Sequence, residues 1–567
     1  MDWKLKKKYK SQLEKERGYV KKVWGTYNTV CLAYPNYYRV GMANLGFQTV
    51  YKIFNDRPSF LCERLFLTAP EDDAESVSGA AEMVSLEGQK QIAEFDILAF
   101  SISFENDYPN ILKIMAQAGL PLLAAERSEH HPLIIGGGIA PTLNPEPLSD
   151  FFDLFLLGES ELVLPEFTSA FEEARRKKLS RGQFLSDSQK NIKAVYVPSL
   201  YNVNYSNDGK IKSVKPVEKQ LPDKIEINSD VDINSFNTRE VISAPRAEME
   251  EMYLVELNRG CAHYCRFCAA AYIYHPARFR KWEEIKKSIK QGLTEKKKIG
   301  LVGTAVCEHP DLIKILEYIK DNEAQAGISS LRIDSISEKV VSMLKETGVE
   351  TVALAPEAGS QKMRDMLRKG IKEQDIVRAA EILIGNEINK IRLYFMVGLP
   401  GETEKDIDAI IELTKKIQHT ALKYTQGKKK FRTITLSINQ FIPKAHTPLQ
   451  WCPLANTEDV AKKIKKIVNA FRQDKQVRVI HDVPKWNYVQ ALLSLGDRRV
   501  GKILIAVQKN NGNWKKALKE VNINPEFYVY RRKSLEEILP WDIFELGISK
   551  KALAADYKKV FGGARCQ

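Results

Sequence analysis

From Thr29 onward, short apolar runs alternate with amphipathic stretches, the pattern of buried parallel strands each followed by a helix. Thr29-Val-Cys-Leu-Ala-Tyr-Pro, Phe95-Asp-Ile-Leu-Ala-Phe-Ser-Ile-Ser, Pro132-Leu-Ile-Ile-Gly-Gly-Gly and Phe152-Asp-Leu-Phe-Leu-Leu-Gly read as strands, with helices near 44–55, 107–118 and 159–176. This predicts a doubly wound α/β unit over residues 29–176. Residues 177–250 are polar and rich in turn signals such as Asn207-Asp-Gly209, and read as a β-rich connector. A second series then begins. Strands are expected at 252–259, 298–303, 329–336, 351–357, 390–397 and 433–442, with helices near 281–295, 310–322, 337–347, 361–386 and 403–419. Six βα units in a row over 251–454 suit a partial parallel barrel with its site at the C-terminal strand ends. Residues 455–567 read as a helical, Lys-rich region.

Composition narrows the class. Over 567 residues, 44% apolar and 28% charged positions exclude a disordered or fibrous chain. No stretch approaches the ~18 apolar residues of a membrane span, and the N-terminus lacks the apolar core of a secretory signal, so a cytoplasmic protein is expected. The net charge of +14 permits nucleic-acid contact without requiring it. Residues 1–28 are set apart as a basic helix: the first 22 hold eight Lys and one Arg against three acids, which suits a solvated face better than an RNA-binding arm.

The eight cysteines are too sparse for a disulfide framework, but three fall in Cys261-Ala-His-Tyr-Cys265-Arg-Phe-Cys268, directly after a predicted strand. Zinc would need a fourth ligand, with His263 and His275 as candidates, and its usual structural pattern has two separated pairs. Three thiolates on one short loop suit a [4Fe-4S] cluster whose fourth iron keeps an open position.

These residues resemble the radical S-adenosylmethionine (SAM) superfamily, and the likeness continues behind them. Phe267 stands where the superfamily places an aromatic near the adenine. The second strand ends in Gly300-Leu-Val-Gly303-Thr304, the third region gives Leu331-Arg-Ile-Asp-Ser335, and the fourth gives Leu354-Ala-Pro-Glu357-Ala-Gly-Ser360. The fifth gives Tyr394-Phe-Met-Val-Gly398-Leu-Pro-Gly-Glu-Thr403, and the sixth ends in Phe441-Ile-Pro-Lys444-Ala-His446-Thr-Pro448. The resemblance implies that Cys261, Cys265 and Cys268 hold the cluster. It implies SAM contacts at Phe267, Gly303, Thr304, Ser335, Glu357, Ser360, Gly398 and Phe441. It also implies reductive cleavage of SAM to a 5′-deoxyadenosyl radical, with an electron donor such as flavodoxin or ferredoxin.

The first unit resembles the cobalamin-binding-type domain that precedes the barrel in one large class of these proteins, related to YgiQ-like and methylthiotransferase-like families. The matching positions are Gly41 in Tyr34-Pro-Asn-Tyr-Tyr-Arg-Val-Gly41-Met-Ala-Asn-Leu-Gly46, Ser101 and Ser103, Gly136 and Gly137, and Glu159. The resemblance implies cobalamin as a third cofactor and methyl transfer to an unactivated carbon. Gly41 and Gly46 have the outer spacing of a P-loop, but Phe47-Gln48 stands where Lys-Ser/Thr is required, which disfavours nucleotide hydrolysis. The Asp-x-His-x-x-Gly motif of many cobalamin proteins is absent from residues 1–180. Only Cys31 and Cys62 lie in the first unit, which disfavours a methylthiotransferase, and Cys307, Cys452 and Cys566 read as ordinary thiols. Lys444, His446, Arg392 and Tyr394 are candidates for substrate contact, and Asp497-Arg498-Arg499 either pairs internally or clamps an anion. A radical rearrangement or oxidation, and an RNA-binding factor with a structural cluster, are the rival functions. The substrate is not legible.

Overall fold

The computed structural model describes residues 3–68, 83–227, 229, 231–328, 331–425 and 433–562. It is a mixed α/β protein with parallel sheets. The N-terminal sheet has the order β2-β1-β3-β4-β5-β6, from β1 (Asn28–Tyr37), β2 (Phe60–Leu67), β3 (Ile97–Ser101), β4 (Leu133–Gly137), β5 (Leu154–Leu156) and β6 (Val195–Tyr196). The first five are mutually parallel and β6 runs antiparallel at the edge. Strand order reverses between β1 and β3, which is where such sheets open a ligand crevice beyond their C-terminal ends.

β2 was not expected from the apolar pattern, because Glu63 and Arg64 interrupt it. Both are buried: Arg64 is held by Glu16 at 2.5 Å and Glu87 at 2.6 Å, and Glu63 accepts from Trp24 Nε1 at 2.7 Å. A paired guanidinium and a hydrogen-bonded carboxylate let this strand sit in the sheet as an apolar one would. The connector contains the helix Arg181–Asn191, the hairpin of β7 (Tyr201–Tyr205) and β8 (Ile211–Pro216), and the short β9 (Ile225–Glu226).

The second series folds as two four-stranded sheets. One has the order β11-β10-β12-β13, from β10 (Tyr253–Arg259), β11 (Arg278–Phe279), β12 (Lys298–Gly303) and β13 (Gln325–Ile328). The other runs β14-β15-β16-β17, from β14 (Thr351–Glu357), β15 (Lys390–Val397), β16 (Thr433–Gln440) and β17 (Val477–His481). Among the described residues a parallel bridge, Leu331 to Leu354, joins them. The third strand differs from the expected 329–336: the described strand is Gln325–Ile328, residues 329–330 lie outside the described residues, and Ile333–Ser335 is a 3₁₀ turn. The Arg332 N–H that a ladder would use goes to Cys307 Sγ at 3.1 Å. The helix expected at 361–386 is two, Gln361–Met366 and Glu373–Gly385, interrupted where Arg368 and Gly370 take positive φ. β18 (Phe544–Glu545) pairs with β9 and ties the C-terminal region, with its closing helix Lys550–Phe561, to the connector. Lys428-Lys-Lys430 and Cys566 lie outside the described residues. Among the described residues no helix is long and apolar enough to cross a membrane.

Candidate functional site

The cysteine loop leaves the C-terminal end of β10 through Gly260, at φ +71°, where a Cβ would meet the Tyr274 carbonyl oxygen at 2.0 Å. Asn258, fully buried, fixes this exit. Its Nδ2 donates to the Gly260 carbonyl and to Thr304 Oγ1, each at 3.1 Å, and its Oδ1 accepts from Ala305 N–H at 3.1 Å. Thr304 Oγ1 also donates to the Gly260 carbonyl. One carboxamide thus joins the start of the cysteine loop to the end of β12.

Burial raises the pKa of all three thiols, Cys265 up to about 11. The surroundings oppose that rise. Lys369 and Arg332 pull Cys261 and Cys265 down by charge, the His263 N–H donates to Cys261 Sγ, and those of Ala270 and Ala271 donate to Cys268 Sγ. Cations and N–H donors aimed at sulfur favour the thiolate, the form that binds metal. Among the described residues no three His, Cys, Asp or Glu side chains converge on a point where one metal ion would sit.

Beside this loop, Glu357 ends β14 at φ +67° and forms an ion pair with Lys369 at 3.0 Å. Both side chains are largely buried. Burial disfavours the Lys369 charge, but Glu357 and Cys265 more than offset this, so its pKa is raised. His263, inside the loop, contacts Glu308 at 2.5 Å, and Arg266 reaches Asp556 of the C-terminal helix at 3.0 Å.

The C-terminal ends of β10 and β12 face the C-terminal edge of the N-terminal sheet across a cavity of about 500 Å³. Ser101, Ser103, Gly136, Gly137, Glu159, Gly303 and Thr304 all line it, as do Asn44, Asn258, Arg259, Gly260 and Tyr274. Its inner part is apolar, with Leu32, Val50, Phe54, Ile135 and Leu164 between the sheet and the helices Leu45–Asp56 and Ser160–Lys177. No histidine lines it among the described residues. Charges close the edge: Glu159, fully buried, takes two bonds from Arg278 at 2.6 and 2.9 Å, and Arg259 pairs with Glu161 and, at 2.8 Å, with Glu256.

Other predicted positions lie elsewhere. Gly41 is packed in the core, where a Cβ would meet Phe66 at 2.5 Å, and it does not line the cavity. Ser360 caps its helix and donates to Asp406 at 2.6 Å, Gly398 N–H donates to Glu402 at 2.8 Å, and Phe441 is buried in the core. Ser335 Oγ donates to the Arg332 carbonyl at 2.8 Å, and Phe267 is half-buried against the core. Lys444 pairs with Glu105 of the N-terminal unit, while His446 is buried away from the cavity. Arg498 pairs with Glu146 and Arg499 with Asp497, so this charged run is paired internally. Asn258, Lys369 and Arg278 escaped the sequence reading because their roles depend on partners distant in the chain.

Residues 255–414 match the model described as the radical SAM superfamily, and residues 46–198 match the one described as radical SAM proteins, N-terminal. The protein is a radical SAM enzyme, of a class that works with a [4Fe-4S] cluster and SAM. An uncharacterised protein of Methanocaldococcus jannaschii is 28% identical over 74% of this chain and 82% of its own length. An uncharacterised methyltransferase of Pyrococcus horikoshii is 21% identical over 63% of this chain and 72% of its own. Among solved structures, the radical SAM methyltransferase TsrM from Kitasatospora setae, with cobalamin and a [4Fe-4S] cluster bound, aligns at 13% identity over 77% of this chain and 75% of its own. The TM-score is 0.48.

Proposed function

We propose that the protein is a cobalamin-dependent radical SAM methylase acting on an unactivated carbon. The observation that carries this reading is the shared cavity, which puts the crevice edge of a doubly wound sheet opposite the strand ends that launch the cysteine loop. On this reading residues 29–176 form the cobalamin unit and 251–454 an opened (βα)6 barrel, flanked by the basic helix 1–28, the connector 177–250 and the helical region 455–567.

Cys261, Cys265 and Cys268 would hold the cluster, with Thr304 and Glu357 at the SAM side. The donor set fits: three thiols receive N–H bonds or face cations, on a loop held rigid by Asn258. Cobalamin fits the other side, where Ser101, Ser103 and Asn44 offer hydrogen bonds beside the bare backbone of Gly136–Gly138 and an apolar slot lies behind them. When bound, the cluster supplies the electron that cleaves SAM to methionine and the 5′-deoxyadenosyl radical, and cobalamin supplies the methyl group. The chain's own task is positioning. Lys369 and Arg332 balance negative charge at the thiolates, and the apolar lining keeps water from a reactive carbon radical.

The test is anaerobic reconstitution with iron, sulfide and hydroxocobalamin, followed by desalting and incubation with SAM and a reductant. The expected result is retained cobalamin absorbance together with 5′-deoxyadenosine, and loss of iron and of cleavage in Cys265→Ala. SAM cleavage by a protein that never retains cobalamin would sink methylation and leave a radical rearrangement or oxidation. Salt-dependent RNA binding without any SAM cleavage would sink the enzymatic reading.

A further inference from the structure

The sheet β14–β17 is covered on one side only. Ile391, Ile434 and Val477 pack with Ile376, Ile410 and Ile464 of the helices Glu373–Gly385, Glu404–Thr425 and Thr457–Ala470. The alternate residues point the other way, and among them Arg392, Asn439 and Arg478 are exposed. β10 and β12 join the same apolar cluster through Tyr253, Val255, Ile299 and Leu301, so the open sides of the two bridged sheets make up one inner face. Its upper part, with Glu256, Asn258 and Val302, lines the first cavity.

Lower on this face one row spans three strands. Arg392 pairs in register with Thr435, and Thr435 with Arg478, so all three side chains leave the sheet on the same side, with the arginine Cα atoms about 10 Å apart. Among the described residues neither guanidinium takes an ion pair or a hydrogen bond. The neighbours on the face carry no acid: Ala353 flanks Arg392, and Tyr394, Ser437 and Ile480 form the next row up. The row below holds Lys390, which Glu350 already engages at 2.6 Å. Further up the barrel Glu256 is paired with Arg259 and Arg280, and Glu357 with Lys369. Asp482 stands four residues beyond Arg478, roughly 13 Å along the chain.

Two unpaired guanidiniums with a hydroxyl between them select a particular anion. A carboxylate has two oxygens and one charge, and a single forked arginine satisfies it. A phosphate monoester brings close to two charges and three terminal oxygens, enough for both arginines and the threonine. The row also lies about 16 Å below the C-terminal end of β15, counted over the five residues from Arg392 to Val397. An anion held there anchors one end of a ligand far from the strand ends where the chemistry takes place, and such remote binding energy positions the reacting part.

We propose that the Arg392–Thr435–Arg478 row binds the phosphate of a small, elongated phosphate monoester, which is the substrate. Calling that ligand the substrate rests on the enzymatic reading above, whereas the anion site itself does not. The test is calorimetric titration of the reconstituted full-length protein, at about pH 8 and low salt, with methyl phosphate, dimethyl phosphate and acetate. These present a monoester dianion, a diester monoanion and a carboxylate. Methyl phosphate should bind saturably, and the other two at least tenfold more weakly. Arg392→Gln and Arg478→Gln should each weaken methyl phosphate at least tenfold with the far-ultraviolet circular dichroism unchanged, since both side chains are exposed and leave the covered side of the sheet intact. Arg478→Lys, which keeps the charge and loses the fork, should weaken it less than Arg478→Gln. The readout is binding, so it succeeds or fails apart from SAM cleavage and cobalamin retention. Absence of saturable binding, equal affinity for acetate, equal affinity for dimethyl phosphate, as a site for a nucleic-acid backbone would give, or methyl phosphate binding unchanged in both glutamine variants, as surface lysines would give, overturns the proposal.

Discussion

Lys369 Nζ lies 3.0 Å from Glu357 Oε1, in a pair whose side chains are only 12% and 14% exposed, next to the Cys265 thiol. Removing one partner of so buried a pair leaves the other charge uncompensated, at a cost of about 3–5 kcal/mol. Lys369→Met should therefore lower the unfolding free energy of the anaerobic apoprotein, read from urea titration, by an amount of that order. The double variant with Glu357→Gln should recover part of the loss, and equal loss in single and double variants would show that the pair is not coupled.

Asn258 is expected to act on the cluster through the loop it ties down. Asn258→Ala leaves the Ala305 N–H without its acceptor and frees Gly260 from one donor. The expected outcome is at least a tenfold drop in SAM cleavage, together with a changed electron paramagnetic resonance line shape of the reduced cluster. Asn258→Asp, which keeps the Ala305 bond but turns a buried carboxylate oxygen onto the Gly260 carbonyl, should be at least as impaired as the alanine variant. An unchanged line shape in the alanine variant would contradict the positioning role.

The buried contact of Glu159 with Arg278 closes the edge of the first cavity across 119 residues of chain. A double-mutant cycle with Glu159→Gln and Arg278→Met should give a coupling of about 1–3 kcal/mol. Because the carboxylate is fully buried, the coupling should hold between low and moderate salt.

Asp107 gives a pH signature. Burial raises its pKa to about 7, against the hydrogen bond from Asn36 Nδ2 at 2.8 Å. The folded state then binds a proton that the unfolded state has released between about pH 4 and 7, so stability contributed by this group falls as pH rises through that window, by about 4 kcal/mol at most. Asp107→Asn should flatten the dependence of Tm on pH between 5 and 8 and raise Tm at pH 8. An unchanged slope would refute the assignment.

Local chemistry was legible in the sequence, and distant pairing was not. The three cysteines after β10, the serines ending β3 and the glycines ending β4 stand in short windows beside apolar runs, so pattern alone finds them. β2 was hidden because Glu63 and Arg64 break its apolar run, and the partners that neutralise Arg64 lie 48 and 23 residues away. Glu159 lines the first cavity, and the Arg278 that engages both its oxygens stands 119 residues away, a pairing the sequence does not announce. Asn258 is one polar residue in a strand, and nothing in the chain announces its reach to Thr304 and Ala305. Gly41 looked like a ligand-approach glycine, but its missing side chain makes room for Phe66.

The proposed arrangement, with cobalamin in the cavity that Gly260 lines and the cluster on the loop that leaves Gly260, is tested most directly by electron paramagnetic resonance on a single sample holding both the reduced [4Fe-4S] cluster and cob(II)alamin. The account predicts mutual perturbation of the two signals, as faster relaxation or broadening. It also predicts that the perturbation disappears when Leu164→Trp fills the apolar slot and expels cobalamin. Two independent, unperturbed signals from a stoichiometrically loaded protein would contradict it.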